Sequence, residues 1–245
     1  MIYALIDPRE YHDGFIRIEN PKRVHHLMHV RRIHQGALIT CLDGRGKRYR
    51  GRVSRLSADA VTINVEEIQE GAQAGLRLVL AQALIKLERF EWVVEKAVEL
   101  GVSRLVPLST ERSILRLDAD RLQAKCQRWQ RIADESLQQC GRADRMEVEP
   151  VTTFSALIQQ SPAELPLLLP TLEGECRRVD EIWESVSRKP EVRVLIGPEG
   201  DFTPKEVRLA VEKGAIPITL GPLTLRSETA AVAVLAVLQY KAGLW

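Results

Sequence analysis

The sequence predicts a two-part chain: a small β-rich domain over residues 1–72, closed as a barrel or packed as a sandwich, and an α/β domain on a parallel sheet over residues 73–245. Three observations predict it. Up to about residue 70 the apolar residues fall in short strand-like runs separated by turn residues. "EGAQAG", residues 70 to 75, is small and flexible in character and marks the boundary. Beyond it, strand-length apolar runs alternate with helix-length amphipathic ones, the rhythm of a parallel sheet.

Composition bounds the rest. At 245 residues, 45% hydrophobic and 28% charged, the chain has ample core for one large or two smaller domains and reads as soluble and globular. No apolar run reaches the roughly 18 residues of a membrane span. "MIYALIDPRE" lacks the basic start and apolar core of a signal peptide. Cys41, Cys126, Cys140 and Cys176 are scattered with no CxxC pair, so neither a metal site nor a disulfide framework is expected, and a reducing cytoplasm fits.

In the β-rich part, "ALITCLDGRGKRYRGRVSRL" gives a strand from Ala37 to Leu42, a turn at Asp43-Gly44 and a second strand. Arg48, Arg50 and Arg52 lie two apart, which places all three on one face. "AVTINVEEI" adds another strand.

In the second part, "LRLVLAQAL" is a strand and "ERFEWVVEKAVELG" a helix. Phe90, Val93, Val94, Ala97 and Leu100 recur at helical spacing, and Gly101 stands where a helix-ending glycine belongs. "RLVPL" is a strand, and residues 118–140 form a long helix with Leu122, Cys126, Trp129, Ala133, Leu137 and Cys140 on one side. "LPLLLPT", "VRVLIGP" and "AIPITLGP" are further strands. Thr203-Pro204-Lys205-Glu206 is a capping box that opens a helix. The last helix, roughly Ser227 to Lys241, is apolar nearly all round and calls for burial on every side, by its own domain or by a second subunit.

The net charge of +2 hides an asymmetry. Residues 22–55 carry ten Lys or Arg against one acid, Asp43, whereas residues 76–245 carry 23 basic and 24 acidic residues. A basic N-terminal part on a neutral body is the footprint of a polyanion partner, or else a solvated basic face. All five histidines fall between His12 and His34, so the α/β part has none, and histidine-based acid–base or metal chemistry is excluded there.

Two strand ends look alike. "LIGPEGDFTPKEV" runs from an apolar strand into Gly197-Pro198-Glu199-Gly200 and then a helix; "LGPLTLRSETAAV" does the same through Gly221-Pro222. Such stretches are connecting turns or ligand loops, and in open α/β sheets ligands sit outside the carboxyl ends of strands. The glycines let backbone approach a ligand and the prolines stiffen the loop. Leu169-Pro170-Thr171 is a third strand end of this kind. Neither GxGxxG nor GxxxxGK[ST] is present, which disfavours the usual dinucleotide and triphosphate sites.

These paired motifs resemble those of the ribosomal RNA small subunit methyltransferase E family, in the SPOUT superfamily of S-adenosylmethionine-dependent enzymes. The resemblance runs nearly the whole chain. "HHLMHVRRIHQG" followed by "LDGRGKRY" is similar to the family's PUA-like RNA-binding β-barrel, "QALIKLERFEWVVEKAVELGVSRLVPLSTERS" to its first strand–helix–strand, and "DESLQQCGR" to the helix end leading to a site arginine. The resemblance implies a C-terminal trefoil knot, a cytoplasmic homodimer, and methyl transfer from S-adenosylmethionine to N3 of a uridine in 16S rRNA of the small ribosomal subunit. It implies cofactor contacts from Leu169, Thr171, Ile196, Gly197, Pro198, Gly200, Leu220, Gly221, Leu225 and Thr229. It implies RNA contacts from Arg23, Arg31, Arg32, Arg48, Arg50 and Arg52. Three departures stand out: Asp201 replaces a usual second glycine, Arg31 replaces a usual leucine, and the early arginine cluster is missing.

Uracil N3 becomes a good nucleophile only after losing its proton. A general base helps, and a cation near the carbonyls stabilises the anion. Glu228 and Glu199 are the candidate bases, and Arg226 and Arg142 the candidate stabilisers. Glu228 also reads as an N-terminal helix carboxylate, and Arg142 as a helix C-terminal cation. Two alternatives stay open: a SPOUT enzyme acting on another RNA position such as a ribose 2′-hydroxyl, and a non-catalytic RNA-binding protein of ribosome assembly.

Overall fold

A computed structural model of the chain describes residues 2–71, 76–113 and 119–244. The expected boundary between residues 72 and 73 lies outside these, as does residue 118, the expected start of the long helix. The chain divides into two compact units, one made of Met1–Gln73 with Asp134–Arg145 and the other of Ala74–Ala133 with Met146–Trp245.

In the first unit β1 (Tyr3–Leu5), β2 (Tyr11–His12), β3 (Phe15–Ile18), β4 (Leu38–Leu42), β5 (Lys47–Leu56) and β6 (Val61–Glu70) form one mixed sheet in the order β1-β4-β5-β6-β3-β2. The β4–β5 hairpin forms as the alternation demands, with Cys41 opposite Tyr49. Its turn is longer than a two-residue Asp-Gly turn. Gly44 and Gly46 both have positive φ, and the Asp43 carboxylate accepts from the backbone N–H of Arg45 (2.8 Å) and Lys47 (2.9 Å). Along β5 the exposed Arg50 and Arg52 alternate with buried Tyr49, Gly51 and Val53. The short helix α1 (Pro21–His25) is capped by Asn20 and closes Val24 over Ile16, Ile18, Ile39 and Ile63.

The segment Asp134–Arg145 completes this unit by hydrogen bonds. The Leu5 N–H donates to Gln138 Oε1 (3.2 Å), the Gly46 N–H to the Ala143 carbonyl (3.2 Å), and the Arg145 N–H to the Gly44 carbonyl (3.0 Å).

The second unit is a parallel sheet of seven strands with helices between them. Its path is β10-β8-β7-β12-β11-β13, built from β7 (Arg77–Ala83), β8 (Val102–Ser109), β10 (Thr152–Thr153), β11 (Leu167–Pro170), β12 (Glu191–Ile196) and β13 (Ile216–Ile218), with β9 (Glu147–Val148) also on β8. Every recorded pairing is parallel. The central β7 is buried from Leu78 to Ala83, as expected of a strand covered on both faces.

Helix α2 (Leu87–Glu99) buries the Phe90, Val93, Val94 and Ala97 stripe, and Gly101 follows its end at φ +76°. On α3 (Ala119–Cys140) Trp129, Ala133 and Leu137 are buried, and Trp129 packs on Phe90 with centroids 4.4 Å apart. Leu122 and Cys126 are half-buried and Cys140 is exposed, so the expected stripe fades at both ends of this helix. Helices α4 (Phe154–Gln160), α5 (Val179–Ser187) and α6 (Pro204–Glu212) follow. The α6 capping box forms: Thr203 Oγ1 accepts from the Glu206 N–H and Glu206 Oε2 from the Thr203 N–H. Helix α7 (Ser227–Lys241) buries Ala231, Val234, Leu235 and Leu238, but leaves Val237 40% and Tyr240 68% exposed, so its own domain covers only part of it.

Candidate functional site

The strand order places β12, β11 and β13 side by side, so their carboxyl ends open at one edge of the sheet. A cavity of about 340 Å³ lies there, wholly within the second unit. It is the place where sequence patterns pointed, because both Gly-Pro loops and the Leu169-Pro170-Thr171 strand end meet at it.

The loop after β12 contributes Ile196, Gly197, Pro198 and Glu199. It folds back on itself: the Asp201 N–H donates to the Pro198 carbonyl (3.0 Å) and the Phe202 N–H to Asp201 Oδ1 (2.7 Å). Asp201 sits at φ +58°, a conformation that Asp tolerates better than most residues, and it is one of the residues lining the cavity. Burial raises the Asp201 carboxyl above the usual range, with Glu173 adding repulsion and the Phe202 N–H opposing. Gly197 is required by this fold-back, since a Cβ there would lie 2.8 Å from Asp201 Oδ1.

The loop after β11 contributes Thr171, whose N–H donates to the Ile218 carbonyl (3.3 Å). The long loop after β13 contributes Leu220, Gly221, Leu223, Leu225 and Arg226. Gly221 has φ +113°, which a side chain would strain. Ser227, at the start of α7, ties two of these segments together. Its hydroxyl donates to the Gly197 carbonyl (2.5 Å) and accepts from Nε2 of the fully buried Gln82 (2.9 Å) on β7.

Of the residues expected at the site, Thr171, Ile196, Gly197, Pro198, Glu199, Leu220, Gly221, Leu225 and Arg226 line the cavity. Leu169 is core, packed with Val79 and Leu195. Gly200 is exposed and does not line the cavity; its carbonyl accepts from Arg112 Nη1 (2.7 Å), and Thr229 is exposed on α7. Glu228 is also off the wall. Its Oε1 faces Arg89 Nε at 3.6 Å, and its Oε2 is buried without a hydrogen-bond donor. Arg142 belongs to the first unit, where Nε donates to Asp144 Oδ2 (3.1 Å).

Sequence reading missed Arg89, Asp201 as a wall residue, and Ser227. No local pattern marks Arg89, which is one polar position in an amphipathic helix. Ser227 offered a signal, as a small hydroxyl residue at the first turn of a helix beginning beside Arg226.

Among the RNA-facing candidates, Arg31 and Arg32 are exposed. Arg50 and Arg52 project from one strand face, but each meets an acid on β6: Glu67 at 3.7 Å and Glu66 at 3.0 Å. Arg48 donates to the Gly141 carbonyl (3.3 Å), and Arg23 Nη1 to the Leu5 carbonyl (3.0 Å) and Glu10 Oε2 (2.9 Å). These two cations hold the unit together more than they advertise charge. Among the described residues no helix is long and apolar enough to cross a membrane, and no group of three or more His, Cys, Asp or Glu could hold a metal.

A cavity at the carboxyl edge of a parallel sheet, in a chain that also carries a separate mixed-sheet unit, defines a class that comparison makes explicit. Residues 72–239 match the RNA methyltransferase domain, and residues 18–66 match the RNA methyltransferase PUA domain. The chain is 28% identical over 228 residues to the ribosomal RNA small subunit methyltransferase E of Bacillus subtilis, covering 91% of this chain and 89% of that one. It is 32% identical to the protein of that name from Synechocystis, covering 87% of this chain and 69% of that one. Among solved structures, the Neisseria gonorrhoeae methyltransferase E bound to S-adenosyl methionine superposes with a TM-score of 0.87 at 26% identity, covering 100% of this chain and 98% of that one. A Legionella pneumophila methyltransferase with bound SAM does so at 0.84 and 32% identity, covering 98% and 96%. The chain belongs to the ribosomal RNA small subunit methyltransferase E family.

Proposed function

We propose that this chain transfers a methyl group from S-adenosylmethionine to N3 of a uridine in the 16S rRNA of the small ribosomal subunit, as a cytoplasmic homodimer with its C-terminal strands and α7 knotted. The observation that carries the reading is the cavity itself, in which an apolar leucine wall and two Gly-Pro loops meet Glu199 and Arg226.

The residues fit the cofactor. Leu220, Leu225 and Ile196 offer apolar edges to adenine, and the backbone of the Gly197 and Gly221 loops offers hydrogen bonds without charge. When bound, S-adenosylmethionine supplies an electrophilic methyl group on a sulfonium. The chain's own work is to take the N3 proton and hold the resulting anion. Glu199 is the better-placed base, because it lines the cavity and is exposed, while Glu228 does not line it. Arg226, also on the wall, is a cation available to the uracil carbonyls.

Support for the homodimer comes from the exposed Val237 and Tyr240 on α7, an apolar strip that a second copy would cover. Support for the knot comes from the path of the chain: it leaves β13 beside β11 and returns to place Ser227 on the Gly197 carbonyl just past β12. RNA affinity is assigned to the exposed cations of the first unit, led by Arg31, Arg32, Arg50 and Arg52.

The test is nucleoside mass spectrometry of 16S rRNA from cells lacking the gene, with and without complementation. N3-methyluridine should vanish and return. A missing 2′-O-methyl nucleoside instead would favour the ribose reading. Failure of the purified chain to bind S-adenosylmethionine in calorimetry would favour the non-catalytic one.

A further inference from the structure

We infer that Arg89 is a catalytic residue of this site, presenting its guanidinium to the anion that develops on the target base, and that Glu228 acts through it as a positioning residue. The inference rests on the methyltransferase reading above and extends it to two side chains of α2 and α7.

Arg89 lies in the first turn of α2, just after β7, and is one of the residues lining the cavity. Its guanidinium has one ion-pair partner among the described residues, Glu228, with Nε 3.6 Å from Oε1. That distance permits attraction but is too long for a hydrogen bond. The guanidinium donors therefore remain uncommitted while the fork is held by charge. An arginine fork is suited to a planar group with two oxygens flanking the reacting atom, as the O2 and O4 carbonyls flank N3 in uracil.

Glu228 has the complementary character. Its side chain is only 14% exposed, Oε2 is buried with no donor, and the carboxylate sits in the first turn of α7, where the helix favours negative charge. Standing off the cavity wall, it is placed to hold a cation and not to reach a substrate proton.

The pair also suits the electrostatics of the reaction. A lone arginine would repel a sulfonium, whereas Arg89 with Glu228 is neutral overall and still offers N–H donors from a residue that lines the cavity. Such donors gain most when negative charge appears in the transition state. The strand order supports a division of the cavity: β7, which leads to Arg89, and β13, which leads to the leucine-rich loop, lie on opposite sides of β12 and β11. The apolar wall then serves the adenine and the Arg89 side serves the base.

The reaction balances without a further reagent. The S–CH3 bond breaks as the N3–CH3 bond forms, the N3 proton passes to the wall carboxylate Glu199, and the sulfonium leaves as a neutral thioether. Arg89 donates to the carbonyl oxygens and exchanges no proton.

The experiment uses the full chain, labelled S-adenosylmethionine, and small subunits from cells lacking the gene. It follows total methyl transfer under single-turnover conditions. Arg89→Ala should lower the rate ~10²–10³-fold, as for loss of one oxyanion donor, with calorimetric cofactor affinity within about threefold of wild type. Added guanidinium chloride at tens of millimolar should restore part of the Arg89→Ala rate, and equal sodium chloride should not. Glu228→Gln should lower the rate less, and the double variant should be no slower than Arg89→Ala, because the two act as one unit. Arg89→Lys, which keeps the charge but loses the fork, serves if the alanine variant fails to fold and should be at least tenfold slow.

A wild-type rate in both Arg89 variants overturns the inference. So does parallel loss of cofactor binding, which would make Arg89 the partner of the cofactor's carboxylate. Multiplicative effects in the double variant would return Glu228 to the role of an independent base. Because total transfer is counted at any position, these outcomes are separate from the nucleoside mapping that tests uridine N3.

Discussion

Gly197→Ala tests the cavity at its tightest turn. The new Cβ would lie 2.8 Å from Asp201 Oδ1, 3.2 Å from the Phe202 nitrogen and 3.3 Å from Asp201 Cα. The carboxylate can swing away, but doing so breaks its 2.7 Å bond from the Phe202 N–H, a net loss of about 1 kcal/mol. The two backbone contacts cannot swing, and relaxing them costs about 1 kcal/mol more, the low end for overpacking. If the cofactor needs the loop in its observed form, the sum of about 2 kcal/mol appears as ~30-fold weaker binding. Gly200→Ala is the control. Its Cβ would meet only the Arg112 side chain, at 3.5 Å, and its φ lies outside the left-handed region. Its effect should stay within ~0.5 kcal/mol, or about twofold. Titration calorimetry with S-adenosylmethionine on both variants, each verified as folded by circular dichroism, reads the difference. Equal affinities for the two, or a greater loss in Gly200→Ala, would refute the account of the loop and restore Gly200 as the point of closest approach.

Three further outcomes follow from the geometry. Ser227→Ala removes the donor to the Gly197 carbonyl and the acceptor of one Gln82 Nε2 N–H, the other still reaching the Ala83 carbonyl (3.1 Å), so stability should fall by about 1–3 kcal/mol, visible as a drop in Tm by thermal melting. Replacing Arg50 and Arg52 by Ala should weaken RNA binding and lower the salt slope by less than the ~1.4–1.8 expected of two unpaired cations, since Glu67 and Glu66 already offset them; affinity measured against salt decides, and cofactor binding should not change. Asp201→Asn keeps the acceptor and the left-handed φ but removes a charge that burial disfavours. With the folded carboxyl raised above its ordinary 3.8, the acid contributes stability below that value and loses it as pH rises through the raised value, so the Asn variant should melt higher than wild type at pH 7 and lose that advantage near pH 3.

Features set by neighbours in the chain were legible in the sequence. The Phe90–Ala97 stripe, Gly101 after it and the Thr203–Glu206 box depend on helical periodicity and on groups three residues apart. The paired Gly-Pro loops were legible as strand ends, and a parallel sheet gathers such ends at one edge. What escaped depends on contacts made late in the chain. Arg89 and Glu228 are polar positions on two separate helices, and only the packing of α7 beside α2 makes them a pair. Cys140 kept the apolar spacing of α3, yet the helix there has passed into the first unit and leaves it exposed. Gly200 looked equivalent to Gly197 as a residue type, and their difference lies in a fold-back that the Asp201 backbone completes.

The assignment of Asp134–Arg145 to the first unit bears on how the protein is made. A nascent chain that has emerged only as far as Gly71 holds all six strands of the first sheet but not the acceptors Gln138, Gly141 and Ala143 that Leu5, Arg48 and Gly46 use. At ~5–20 residues per second, roughly 4 to 15 seconds of synthesis separate Gly71 from Arg145. During that interval the β7–α2–β8 stretch emerges, while β12, the strand that pairs with β7 on its other side, is still unmade. Neither unit can be finished before the other is begun. Translation therefore delivers two half-built sheets at once, and release of the N-terminal portion by early termination or by cleavage after residue 71 leaves a sheet without its last hydrogen bonds.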